Sequence, residues 1–137
     1  MRAYEQDYAG WAEDTAKAIE EGRWSEIDRE ALADEVLSLS RSDRWAIVSM
    51  LEVLLVHLLK CQHQPGQKHG SWDNTIAVHR LNLARRLDDS PSLRARSAEL
   101  IADAYKTARL ESATQTRLKV STFPETCEWS VEEVLGH

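Results

Sequence analysis

The sequence predicts an all-α fold, a compact helical bundle of four to five helices in one domain (1–137) around a long central helix. Three observations predict it. Apolar residues recur at three- and four-residue steps, the period of one helical face. Only five glycines and three prolines interrupt 137 residues, which favours a few long elements over many short strands. A single phenylalanine stands against many Leu, Ala, Glu and Arg, the better helix formers. Apolar residues at 42% and charged residues at 29% belong to a folded chain. At this length one domain buries about two-thirds of the surface its unfolded form exposes.

The first helix is expected from about Tyr4 to Glu21, with Tyr8, Trp11, Ala12, Thr15, Ala16 and Ile19 on its inward face. Gly22 follows where a left-handed cap belongs. The second helix starts near Asp28, an N-cap residue, and carries Ala31, Leu32, Glu35, Val36 and Leu39 as an inward stripe. The serines between Ser38 and Asp43 bond to their own backbone, so a kink or brief break is predicted there. Beyond it, Trp45 to Leu59 is apolar on nearly all sides, the mark of a water-excluded central helix or a subunit interface. Pro65-Gly66 ends it.

Ser71 opens the third helix, with Trp72, Ile76, Val78, Leu81, Leu83, Ala84 and Leu87 on its apolar face. Ser90-Pro91 opens a fourth, expected to run unbroken to about Thr114. Ser130-Val131-Glu132-Glu133 is a capping box that starts a last turn.

Charge is uneven. Glu5 to Glu35 holds eleven acidic and three basic residues, whereas Ile76 to Arg96 holds five arginines against Asp88 and Asp89. On a chain of net charge −6, five arginines make no phosphate-binding surface, so no nucleic-acid partner is expected. No apolar signal segment opens the sequence, and the apolar run contains Ser49, Glu52 and His57. A cytoplasmic protein without a membrane partner is expected, with Cys61 and Cys127 as free thiols.

Nearly the whole chain resembles domain-of-unknown-function family 29, a bacterial family of helical proteins. Tyr8-Ala9-Gly10-Trp11-Ala12 and Leu32-Ala33-Asp34-Glu35-Val36 carry the resemblance, followed by the run Leu54 to Pro65, which reads LLVHLLKCQHQP. Ser71-Trp72, Thr75-Ile76, Ser90-Pro91-Ser92-Leu93 and Phe123-Pro124-Glu125-Thr126-Cys127 complete it. Departures are Ser40, where the family has a glycine nearby, Cys61 in place of an aromatic residue, and Gly136-His137 in place of an acidic, aromatic extension. The resemblance implies a compact helical protein and no particular activity.

Polar residues in and beside the apolar run form the candidate binding constellation: Glu35, His57, Lys60, Gln64 and Trp72. Lys60 and Trp72 flank the Pro65-Gly66 turn and reach the same end of a helical hairpin. Glu35, on an inward stripe, is expected to pair with His57, Lys60 or an arginine, because an unpaired buried charge costs several kcal/mol. Such a group either fixes helix register or binds a small anion or a peptide. Glu35, His57 and Cys61 include metal-ligand types, but the Glu-x-x-His repeats of metal-binding bundles are missing. No metal, cofactor or catalytic residue is assigned. Among the tryptophans, Trp11, Trp45 and Trp72 are expected in the core and Trp24 and Trp129 in connectors, where exposure marks a partner surface. A helical module that binds a protein partner or itself is the leading function. The alternative is an enzyme, or a metal- or anion-binding protein, built around His57.

Overall fold

The computed structural model describes residues 1–67 and 69–137 and contains only helices, turns and connectors among them. Helix α1 is Tyr8–Glu20, α2 Arg29–His63, α3 Gly70–Asp89, α4 Pro91–Arg94, α5 Ser97–Thr116 and α6 Val131–Leu135. Single 3-10 turns lie at Trp24–Glu26, Pro65–Gln67 and Val120–Thr122. Contacts divide the chain into two compact units, Met1–Ser42 and Asp43–His137.

In the first unit, Asp7 caps α1 by accepting from the Gly10 amide at 2.9 Å. The helix ends as expected at Gly22, whose φ of +72° costs a residue without Cβ nothing. The Arg23 amide then reaches the Ala18 carbonyl at 2.8 Å and the Gly22 amide reaches that of Ile19 at 3.1 Å, so the orphaned carbonyls are satisfied. Trp11, Thr15 and Ala18 are buried. Tyr8 and Ile19, expected on the same inward face, are exposed. Asp28 caps α2 through the Ala31 amide at 3.1 Å.

No break interrupts α2 between Ser38 and Asp43. Ser38 Oγ donates to the Asp34 carbonyl one turn back, at 3.0 Å, so its competition with the backbone is resolved without leaving the helix. The boundary between the two units falls inside this polar stretch.

In the second unit, Ile47, Leu51, Leu54, Leu55, Val56 and Leu59 of α2 enter one apolar cluster with Ile76, Leu83 and Leu87 of α3, Leu100, Ile101, Ala104, Tyr105 and Ala108 of α5, and Phe123 and Val134. Each fully buried leucine here contributes about 1.5–3 kcal/mol by leaving water. The central helix is nonetheless not covered all round: Val53 is exposed, and Trp45, expected in the core, is 72% exposed. An 18-residue window of α2 has mean hydropathy 1.5, enough by length and composition to cross a membrane. The core helix of a soluble protein meets the same test, and this one supplies Leu51, Leu54, Leu55 and Leu59 to the cluster.

The expected fourth helix is two. Helix α4 stops at Arg94, the Arg96 amide closes on the Leu93 carbonyl at 2.9 Å, and α5 restarts at Ser97. Leu93 and Ser97 are both buried across this corner. At the C-terminal end Arg80 holds α6 by donating to the Val134 and Glu133 carbonyls, both at 3.0 Å. The capping box at Ser130 is formed in both directions. Ser130→Ala should therefore lower stability by about 1 kcal/mol, measured by urea denaturation. An unchanged midpoint would mean that α6 adds nothing to the fold.

Candidate functional site

Four of the five candidate binding residues fall in the second unit, and two of them, Lys60 and Trp72, meet. Lys60 Nζ lies 4.8 Å from the centre of the Trp72 ring and donates to Gln115 Oε1 at 3.1 Å. Gln64 Nε2 donates to the Thr116 carbonyl at 3.5 Å, tying the end of α2 to the end of α5. His57 turns away from this group, its Nδ1 donating to the Val53 carbonyl of its own helix at 2.8 Å.

Glu35 belongs to the first unit. There it accepts from Tyr4 Oη at 3.0 Å and from Tyr8 Oη, not from a histidine, lysine or arginine. Two phenol donors satisfy the carboxylate without a cation, and that bond raises both phenols above their ordinary pKa. The Tyr4 ring also packs edge-on against Trp11 at 4.7 Å. Glu35 thus fastens the N-terminal segment to α2. Among the described residues no three His, Cys, Asp or Glu side chains converge on a common point. Burial pushes the Cys127 thiol up, away from the thiolate a nucleophile needs.

A different part of the first unit carries unsatisfied surface. Trp24, Ile27, Leu32, Ala33, Val36 and Leu37, with Arg29 at the edge, line an open groove of about 560 Å³. Trp24 is 63% exposed, Val36 56% and Leu37 55%, with Leu39 bare one turn further on. Val36 and Leu39 were expected to face inward. The period correctly found the apolar stripe of α2, but no element of the first unit covers that part of it. Trp24 was the one groove residue marked as a possible partner contact. Ile27, Ala33 and Leu37 were missed, since one sits in a connector and the others fall outside the stripe counted from Ala31. Helical positions 32, 33, 36 and 37 would have found three walls of the groove at once.

Next to it the surface is acidic. A depression lined by Trp24, Ser25, Ile27, Asp28, Arg29 and Glu30 shares Trp24, Ile27 and Arg29 with the groove, and it shares Asp28 and Glu30 with another lined by Met1 to Gln6, Trp11, Glu26 and Ala31. Arg2 is engaged by Asp14 at 3.0 Å and Glu13 at 3.4 Å, and holds the Asp14 carboxyl at a pKa of about 2. Arg23 is engaged by Glu21 and Glu26. Glu5 and Glu30 have no cation partner among the described residues. Residues 1–42 hold eleven acidic and five basic side chains, a net of −6 that equals the charge of the whole chain.

With the geometry described, the comparison with known proteins can be added. The family described as Domain of unknown function DUF29 matches residues 3–137. The chain belongs to that family. No curated protein and no solved structure matches it. For this DUF29 chain the match extends over both compact units, so the groove and the Lys60–Trp72 cluster both lie inside the family's domain.

Proposed function

We propose that this protein is a helical interaction module whose first unit receives an apolar helix of a protein partner. What carries the proposal is the groove between Trp24 and Leu37: three large apolar side chains more than half exposed, side by side, on an otherwise charged unit. Isolated apolar side chains on a surface are ordinary, but a contiguous patch walled by an aromatic residue marks a contact site. A straight helical wall with anchors at positions 32, 33, 36 and 37 suits an amphipathic helix laid alongside it, its own anchors one turn apart. Tryptophan is also the residue type most often dominant in binding energy at such contacts.

The test uses a synthetic amphipathic helix of leucine and lysine, about five turns long, followed by fluorescence anisotropy. Binding to the intact chain is expected, and the paired substitution Val36→Gln/Leu37→Gln should weaken it at least about tenfold, about 1.4 kcal/mol. Both changes keep the charge and suit an exposed helix. Equal binding to both proteins would show charge attraction alone and defeat the proposal.

A further inference from the structure

We infer that the groove is covered by the same strip of α2 from a second copy of the chain, the two helices running antiparallel. This rests on the docking function proposed above and names its occupant. Arg29, Leu32, Val36, Leu39 and Asp43 follow one another along α2 at steps of three, four, three and four residues. Such spacing keeps them on one side of the helix, and it is the seam along which two helices pack side by side. Leu32 and Val36 line the groove with Arg29 at its edge, and Leu39 and Asp43 are exposed beyond it.

Charge along this helix selects both the occupant and its direction. Asp34 is paired with Arg41, Glu35 is held by Tyr4 and Tyr8, and Arg44 is engaged by Glu99 and Asp103. Arg29 and Asp43, at the two ends of the strip, have no ion-pair partner among the described residues. Glu30, also without one, lines the neighbouring depressions and not the groove. A strip that is cationic at one end, apolar along its middle and anionic at the other complements its own reverse. Arg29 and Asp43 each stand seven residues from Val36. Antiparallel pairing about Val36 therefore sets Arg29 of each copy opposite Asp43 of the other, whereas parallel pairing sets like charges together at both ends. Among the described residues Arg29 alone of the charged side chains lines the groove, so the acids of this unit stand outside the contact. Both copies use the same surface, so two of them close the contact and leave none for a third.

Light scattering on the full chain tests this. The mass should rise with concentration to that of two chains and stop there. Val36→Gln/Leu37→Gln should leave a monomer, with circular dichroism confirming intact helix. Arg29→Asp and Asp43→Arg should each weaken association at least about tenfold, about 1.4 kcal/mol, because each sets like charges together twice. Combining both changes in one chain should restore the dimer, and so should an equimolar mixture of the two single variants. An excess of the leucine–lysine helix should split the dimer by occupying the same strip. A monomer up to about 1 mM, the weakest contact worth the name, overturns the inference. So does growth beyond two copies, a dimer that survives the groove variant, or charge reversals that fail to rescue each other. If copies remain apart while the leucine–lysine helix still seats in the groove, docking stands and only the occupant falls. If neither associates, the groove itself is not a docking site.

Discussion

Phe123→Ala should destabilise the second unit by about 3–5 kcal/mol, the range for removing a buried ring. Phe123 is 1% exposed and enters the apolar cluster from a connector rather than from a helix. Its ring meets the His63 imidazole at 4.7 Å. Around it the backbone is pinned twice: Arg109 Nε donates to the Phe123 carbonyl at 3.1 Å, and Tyr105 Oη donates to the Pro124 carbonyl at 2.6 Å. With both bonds holding the chain in place, the cavity left by the ring cannot collapse easily, which puts the cost toward the upper end. Chemical denaturation followed by circular dichroism would measure it. A loss below about 1 kcal/mol, the level of an ordinary surface change, would mean that the connector does not hold the helices together.

Leu54→Ala should cost about 2–5 kcal/mol. Leu54 and Leu55 are both fully buried and adjacent on α2, so they point to different neighbours within the same cluster and the helix has little freedom to shift. The companion substitution Val36→Ala, on the same helix but in the first unit, removes a side chain that is 56% exposed. It should change stability by no more than about 0.5 kcal/mol. The contrast between two aliphatic positions on one helix separates core from groove. Comparable losses at both would mean that something covers Val36.

That contrast also shows what the sequence could and could not reveal. The helical period identified the buried side of α5 and of the second half of α2, and cap chemistry at Asp28, Gly22 and Ser130 placed three helix ends. Periodicity records which side is apolar, not whether anything lies against it. Val36, Leu39 and Trp45 sit on recognisable stripes and are open, and of the two connector tryptophans Trp24 is open while Trp129 packs against the cluster. The candidate site suffered from the same limit. Lys60 and Trp72 flank one tight turn, so local spacing sufficed to bring them together. Glu35 could be assigned a partner only by knowing which segment lies beside it, and tyrosines from the N-terminal segment were not considered. The split of the fourth helix at Arg94 to Ser97 had no breaker to announce it, since Ala95-Arg96 is a good helical pair and the turn is set by burial of Leu93 and Ser97.

All of the molecule's excess charge resides in its first 42 residues, while residues 43–137 hold equal numbers of acidic and basic groups. A cationic resin therefore grips this chain through residues 1–42, and neutralising carboxylates there should release it at lower salt than the same number of changes in the balanced remainder.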